Sequence, residues 1–296
     1  PILAESKANQ SDEEVQLVIN HIATKLLSIL MIITLIAIVI APIIILLFAW
    51  GFYFKEDATQ FNLASDMLRI TFPYLLLISL TALSGSILNT YDNFIIPAFT
   101  PVLLNISLIL SAVFLSKYLS MPIMALAWGV LIGGIIQLGF QIPFLRKIKR
   151  LPKIQFGHHK ALSILRKRML PALFGVSVSQ INLLVDTMIA STLIAGSVTW
   201  LYYSDRLLEL PLALIGIALA TVALAKLSNY HAKKDTKNFI NTIDKALLYA
   251  ILLGLPACAG LVLLAEELII TLFQYDAFDA LSAKKTSLSL QAYGSG

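Results

Sequence analysis

Seven apolar runs, each long enough to cross a lipid bilayer, constrain this chain more than any other feature of its sequence. A helix rises about 1.5 Å per residue, so roughly 20 apolar residues span about 30 Å of hydrocarbon. The chain has 296 residues, of which 58% are hydrophobic and 13% charged, whereas a typical soluble domain has about 25% charged residues. The sequence therefore predicts an all-α integral membrane protein, a polytopic helical bundle.

The boundaries of the predicted spans follow from the polar residues, glycines and prolines between the apolar runs. The runs cover residues 23–54, 68–88, 95–115, 123–144, 170–193, 207–225 and 246–264. The first run is longer than one crossing requires and contains Pro42. We therefore expect a kink there, or a helix that extends beyond the bilayer.

Two loops rich in lysine and arginine predict the orientation of the chain. The first contains Arg146, Lys147, Lys149, Arg150, Lys153, Lys160, Arg166, Lys167 and Arg168, and the second contains Lys226, Lys233, Lys234, Lys237 and Lys245. The opposite side has mainly Lys55 and Lys117, with several acidic residues such as Glu56 and Asp57. The positive-inside rule places the basic loops, and the end at Pro1, in the cytoplasm. Topology and contact with anionic lipid heads then explain the net charge of +5 without a nucleic-acid partner.

The longer basic loop also predicts the domain organisation. Residues 1–150 would form the remainder of an N-lobe with four transmembrane helices, and residues 151–168 a cytoplasmic interlobe loop. Residues 169–296 would form the first part of a C-lobe, with three helices and the approach to a fourth. Because the chain starts at Pro1 without an initiator methionine, we expect an internal fragment, truncated at both ends.

Motifs of catalysis do not occur in the sequence. There is no HExxH, CxxC or P-loop pattern, and the single cysteine, Cys258, excludes a disulfide within the chain. His158 and His159 fall in the basic loop, where we expect a solvated pair, and His21 and His231 fall in polar connections. The sequence thus predicts a protein that is not an enzyme and has no cofactor.

A carboxylate lies inside the fifth predicted span. Helical spacing places Ser179, Asn182 and Asp186 on one side of that span. A charge in the bilayer costs roughly 2.5–3.5 kcal/mol on insertion scales, so Asp186 must be protonated, paired or bound to a cation. Asn182, one turn earlier, could supply a carbonyl oxygen to that cation. Hydrogen bonding between helices is the alternative role for the uncharged residues Ser179 and Asn182.

Three charges begin the sixth predicted span: Asp205, Arg206 and Glu209. Their spacings of three and four predict a local network at one end of the helix. Asp205 is explained as an N-terminal cap, and Trp200, Tyr202 and Tyr203 as an interfacial aromatic belt. Arg206 opposes the helix dipole unless Glu209 or an anionic ligand compensates, and a guanidinium suits bidentate phosphate binding. Pro211 and Gly216 predict bending points beyond these charges.

Three runs at these positions carry a family resemblance. They read TPVLLNISLI (100–109), SVSQINLLVDT (177–187) and GSVTWLYYSDRLLELPLALIGIALATV (196–222). Together they closely resemble the MurJ (MviN) family of lipid II flippases, within the multidrug/oligosaccharidyl-lipid/polysaccharide exporter superfamily. The resemblance covers nearly the whole chain and implies a bundle of two lobes, from the third helix of the family to the approach to the tenth. The chain departs from the family pattern at Ala225 and Lys226, where proline and serine are usual.

The resemblance also implies a function and site residues. Lipid II, the lipid-linked peptidoglycan precursor, would move by alternating access from the inner to the outer leaflet of the bacterial inner membrane. Arg206 matches a cavity arginine that binds the lipid-linked diphosphate, with Asp205 and Glu209 beside it. Asp186 matches an aspartate of a cation site, which implies coupling to Na⁺ or H⁺, with Asn182 as the second candidate ligand. The implied partners are lipid II, membrane lipids and the cell-wall synthesis machinery.

The sequence leaves two other functions open, a different exporter and a scaffold, and argues against a third, an enzyme. A related exporter could carry another polyprenyl-linked saccharide or a drug. A membrane glycosyltransferase or polymerase would need a catalytic acid or base in a sizeable extracytoplasmic loop, and the predicted loops are short. A scaffold for cell-wall assembly without transport would keep the spans but would not need the charges at Asp186 and Arg206.

Overall fold

The structure, a computed structural model, describes residues 2–54, 59–157, 159–232 and 235–295. Within these ranges the chain forms thirteen α-helices, which confirms the all-α prediction. They are α1 (Ile2–Asn9), α2 (Asp12–Val39), α3 (Ala41–Phe48), α4 (Thr59–Thr71), α5 (Pro73–Thr90), α6 (Ile95–Val113), α7 (Met124–Lys147), α8 (Lys160–Thr192), α9 (Ser197–Pro211), α10 (Ala218–Ala232), α11 (Thr236–Leu263), α12 (Ala265–Phe273) and α13 (Ala280–Ser295). A π-helical segment, Leu212–Ile217, joins α9 to α10.

Six helical segments of the described chain are long and apolar enough to cross a membrane. They are Asp12–Val39, Thr59–Thr90, Ile95–Val113, Met124–Lys147, Ser197–Leu224 and Thr236–Leu263. Two parts of α8, Ala161–Gly175 and Gln180–Thr192, meet at 44° and together form either a seventh, broken span or a re-entrant segment. Six of the seven predicted runs therefore correspond to helical segments that can span the bilayer, and the fifth run, 170–193, corresponds to the bent helix α8.

Several residues singled out in the sequence fall where the structure gives no description. They are Pro1, Lys55, Glu56, Asp57, His158, Lys233 and Lys234, together with the side chains of Lys160, Arg168, Ser179, Ala225 and His231.

The first predicted span is divided near Pro42, as expected. α2 ends at Val39 and α3 begins at Ala41, with Pro42 in its first turn, where a missing N–H costs nothing. However, α2 starts at Asp12, well before the apolar run. A capping box fixes that start, because the Glu14 backbone N–H donates to Ser11 Oγ at 3.4 Å and the Ser11 N–H donates to Glu14 Oε2 at 3.1 Å.

The chain divides into two compact units, Pro1–Met188 and Ile189–Gly296. In the first unit, Val18 and Ile19 of α2, Ile87 and Leu88 of α5 and Leu145 of α7 form a buried core. In the second, a buried cluster joins α9, α11, α12 and α13, with Leu207, Leu261, Ile269 and Leu290 among its members. The lobe boundaries given by the sequence, 1–150, 151–168 and 169–296, stay a prediction.

Glycines allow α7 to pack closely in the first unit. A Cβ at Gly133 would lie 2.7 Å from Leu104 Cδ1 of α6, and a Cβ at Gly134 would lie 2.7 Å from Tyr74 Cδ2 of α5. Close approach at small residues is the usual way in which membrane helices associate. It also allows a hydrogen bond between helices, since Ser107 Oγ donates to the Gly129 carbonyl at 2.7 Å.

The start of the longer basic loop is fastened to α2 by polar side chains spaced one turn apart. Gln16 Nε2 donates to the Leu151 carbonyl at 3.1 Å, and the Lys153 N–H donates to Asn20 Oδ1 at 2.8 Å. The Gln155 N–H donates to Thr24 Oγ1 at 2.8 Å. These bonds satisfy the backbone of a segment without regular structure of its own.

Two polar residues near this contact are buried. Arg150, which was expected to contact anionic lipid heads with the rest of the basic loop, is only 8% exposed; it forms an ion pair with Asp12, and its Cζ lies 5.3 Å from the centroid of the Tyr91 ring. His21 is not in a polar connection but is buried in α2, with its ring 5.1 Å from that of His159. Both contacts accompany the hydrogen bonds that hold residues 151–155 against α2.

Candidate substrate and cation sites

The helix that bears Arg206 begins earlier than the apolar run indicated. α9 starts at Ser197, and its N-cap residue is Gly196, with φ of 101°. A Cβ at Gly196 would lie 2.8 Å from Trp200 Cζ2, so the close indole and the positive φ both favour glycine. Asp205 therefore lies more than two turns inside the helix. Its interpretation as an N-terminal cap is wrong, and so is the placement of all three charges at the start of the helix.

One face of α9 is buried within the second unit. Trp200, Ser204 and Leu207 lie on this face, and Ser204 Oγ is 2.9 Å from Ser289 Oγ of α13. Tyr203 packs into an aromatic cluster, with its ring centroid 4.6 Å from that of Phe273 and 5.3 Å from that of Phe278. These contacts fix the rotation of α9 about its axis.

The opposite face of α9 carries Tyr202, Arg206 and Glu209. Arg206 Nη1 donates to Glu209 Oε2 at 2.6 Å, and Arg206 Cζ lies 5.0 Å from the centroid of the Tyr202 ring. The two charged side chains are about half exposed, at 52% and 50%. The bond to Glu209 occupies one of the five N–H donors of a guanidinium. The predicted pairing of Arg206 with Glu209 is confirmed, whereas Asp205 projects about 100° away around the helix.

Tyr202 is the residue of this site that the sequence interpretation missed. It had been assigned only to an interfacial aromatic belt. Its position four residues before Arg206 was the available signal, since side chains at i and i+4 meet on a helix surface. Tyr202, Arg206 and Glu209 thus form one continuous stripe along α9.

The helix widens directly after this stripe. Pro211 has no N–H to donate to the preceding turn, and residues Leu212–Ile217 adopt π-helical geometry. The segment lines an apolar cavity of about 660 Å³ within the second unit, together with residues of α9, α10, α11 and α13. A π-helical segment lies where Pro211 and Gly216 predicted bending points, and the bending itself stays a prediction. π-helical insertions are rare and occur frequently at functional sites.

The second candidate site lies on α8. Asp186 is half-buried and Asn182 is exposed, one turn apart on the same helix. Among the described residues, no group of three or more His, Cys, Asp and Glu side chains could hold a metal ion. Two oxygen-bearing side chains therefore lie one turn apart on α8, and their role in cation binding stays a prediction.

A polar groove in the first unit had no counterpart in the sequence interpretation. It measures about 540 Å³ and lies between α5, α6 and α7. Gln137 Nε2 donates to the Thr100 carbonyl at 3.1 Å and Gln141 Nε2 donates to Thr100 Oγ1 at 2.9 Å. Tyr74 Oη donates to Gln137 Oε1 at 3.3 Å. Two glutamines four residues apart in an apolar run were the signal for this network.

Comparison with known proteins agrees with this architecture. The family model described as lipid II flippase MurJ matches residues 1–296. The probable lipid II flippase MurJ of Vibrio cholerae is 43% identical over all of this chain and 58% of its own length. The corresponding protein of Haemophilus influenzae is 41% identical over all of this chain and 60% of its own length.

A solved structure, described as lipid II flippase MurJ in an inward closed conformation, matches with a TM-score of 0.82 and 30% identity. The match covers all of this chain and 62% of that structure. The chain thus spans about three fifths of the length of the proteins that it matches. Together with its apolar helices, these matches show a multi-pass protein of the bacterial inner membrane, in a family of transporters rather than enzymes. The chain belongs to the MurJ lipid II flippase family.

Proposed function

We propose that this protein moves lipid II from the inner to the outer leaflet of the cytoplasmic membrane by alternating access, for cell-wall synthesis. Arg206 carries the proposal, because it is a permanent cation on an exposed face of an apolar helix. A charge in that position is costly and marks a substrate or ion pathway. The diphosphate of lipid II offers the geometry that a guanidinium binds in a bidentate manner.

Arg206 and Glu209 would have different roles in substrate binding. Arg206 would bind the diphosphate, and Glu209 would hold the guanidinium in place while no substrate is bound. Arrival of the diphosphate would exchange one anionic partner for another, so the cation would never stand unpaired in the membrane. Asp205, on the neighbouring face, would add to the local charge balance. The outer leaflet is where the cell-wall synthesis machinery, the protein partner that we propose, would receive lipid II.

The direct test is a flipping assay with the native protein in proteoliposomes. Fluorescent lipid II is placed in one leaflet, and its movement is followed by access of an external quencher. We expect flipping that excess unlabelled lipid II competes away, while a polyprenyl-phosphate sugar without the peptide competes poorly. Equal competition by both lipids would instead indicate an exporter of another lipid-linked saccharide. Absence of flipping would favour a scaffold.

We further propose that Asp186, with the Asn182 side-chain oxygen, binds a monovalent cation that biases the transport cycle. An intramembrane carboxylate must be protonated, paired or coordinated, and either Na⁺ or H⁺ would satisfy it. A membrane potential of 100 mV is worth about 2.3 kcal/mol per elementary charge, enough to drive a return step.

Replacing Asp186 by asparagine is expected to remove the dependence of flipping on the cation. The variant keeps the shape of the side chain but has no charge to titrate or coordinate. Flipping is measured against Na⁺ concentration and, separately, against a pH gradient. In the native protein we expect the flipping rate to depend either on Na⁺ or on the pH gradient. In Asp186→Asn we expect the rate to equal that of the native protein without Na⁺ and without a pH gradient. Asp276→Asn is the control, since Asp276 is exposed and its φ of 49° suits asparagine. A cation response that survives in Asp186→Asn would contradict the assignment.

A further inference from the structure

The ring of Tyr202 lies against the guanidinium that the proposed function uses. Arg206 Cζ is 5.0 Å from the ring centroid, within the distance of about 6 Å at which a cation is attracted to an aromatic face. Glu209 holds the same guanidinium from the following turn, at 2.6 Å. The cation is therefore supported from both sides along one stripe of α9.

Tyr202 is itself anchored, although it is 54% exposed. Its ring makes an edge contact with Tyr203, with centroids 5.8 Å apart and an interplanar angle of 73°. Tyr203 in turn packs on Phe273 and Phe278 in the interior of the second unit. A chain of aromatic contacts thus connects the exposed ring to a rigid part of the fold, and edge-to-face pairs of this kind are favourable beyond the area they bury.

Glu209 and the Tyr202 ring differ in how they affect the binding of an anion to Arg206. Glu209 neutralises the guanidinium, so an incoming anion must compete with it. An aromatic face attracts the cation through its quadrupole and carries no net charge, so it does not compete with an anion in the way that a carboxylate does. An interfacial aromatic belt would require a ring at this depth but would not require its contact with Arg206.

We propose that Tyr202 is a positioning residue for Arg206, which holds the guanidinium over its ring so that its N–H groups meet the diphosphate of lipid II. This inference rests on the proposed function. An arginine side chain carries about 2 kcal/mol of rotamer entropy, and part of that is lost when it is fixed on a ligand. A ring that restrains the side chain beforehand reduces this loss and strengthens anion binding.

The test replaces Tyr202 in the native protein by phenylalanine and by phenylalanines with increasing fluorination of the ring. These side chains have nearly the same shape, but fluorine progressively removes the negative electrostatic potential over the face of the ring. The dissociation constant of lipid II is measured in nanodiscs. We expect phenylalanine to bind within about twofold of the native protein, and the fully fluorinated ring to bind about two- to fivefold more weakly, with intermediate members in order.

A double-mutant cycle supplies the control. In the Arg206→Leu background, fluorination at position 202 is expected to have no effect, because the cation that senses the ring is absent. A purely structural role of Tyr202 would give the same dissociation constant across the series in the presence of Arg206, and that result would overturn the proposal.

The same data separate this proposal from the proposed function. If Arg206→Leu weakens lipid II binding but the dissociation constant does not change across the fluorinated series, Arg206 binds the substrate and Tyr202 does not position Arg206. If Arg206→Leu binds lipid II as tightly as the native protein, the site on α9 is itself wrong, and the role of Tyr202 is overturned with it.

Discussion

Bacteria depleted of their own MurJ are expected to stop growing when their only replacement is this protein with Arg206→Ala or Arg206→Glu. A hydrogen bond to a charged group is worth about 1.5–3 kcal/mol, so alanine should weaken diphosphate binding roughly ten- to hundredfold. Glutamate should be worse, because it places two carboxylates, its own and that of Glu209, where an anion has to bind. The measurement is colony formation on depletion, with membrane levels of each variant checked by immunoblot.

A matched control exists in the first unit. Arg69 pairs with Asp66 at 2.8 Å with the same i, i+3 spacing, and its side chain is 43% exposed. If Arg206 acts by binding substrate, Arg69→Ala should support growth. Arg206→Lys should support growth only weakly, since an ammonium cannot bind a phosphate in the bidentate manner. Normal growth of Arg206→Ala at normal protein level would exclude the role assigned to Arg206.

Leucine at Gly134 is expected to prevent correct packing of the first unit. A Cβ there would lie 2.7 Å from Tyr74 Cδ2 and 3.1 Å from Leu77 Cβ. The Tyr74 ring is tethered by its hydrogen bond to Gln137, so it cannot easily move aside. Overpacking a fitted core costs about 1–3 kcal/mol and occasionally more. The expected results are a Tm lower by several degrees in detergent and reduced protein in the membrane.

Gly139, on the same helix, provides the comparison. A Cβ at that position has nothing within 4 Å. Both substitutions gain the same intrinsic helix propensity when glycine is replaced by leucine, so the difference between them isolates the clash. Gly139→Leu should therefore match or exceed the native Tm. Equal thermal stability of the two variants would show that α5 and α7 do not pack as closely as the structure has them.

The spans could be predicted from the sequence, but their ends could not. Apolar runs located every segment that can cross the membrane, because the cost of burying polar groups in lipid leaves no other place for such runs. Helices continue past those runs wherever polar residues can still form a helix. α2 begins at Asp12 through the capping box of Ser11 and Glu14, and α9 begins at Ser197 after Gly196. Both starts depend on local capping, which the hydropathy of a run does not report.

The position of the helix start also decided the roles of the charged residues on α9. Once the helix is known to begin at Ser197, Asp205 cannot cap it. The pairing of Arg206 with Glu209 was predictable, because it depends only on spacing within one helix. The contact with Tyr202 has the same local origin, since Tyr202 lies four residues before Arg206. A place in an interfacial aromatic belt also explains Tyr202, so the sequence did not single out this contact.

The sequence by itself determined the class of protein, the location of the apolar helices and the family, and it predicted the charged residues on which a function would depend. All of these depend on composition, periodicity and motifs, which act locally along the chain. The tertiary structure alone decided which face of α9 is exposed, that Tyr203 anchors the neighbouring ring, and that Arg150 and His21 are buried. Those outcomes depend on contacts between residues far apart in sequence, such as Tyr203 with Phe273 and Arg150 with Asp12, and no local pattern encodes them.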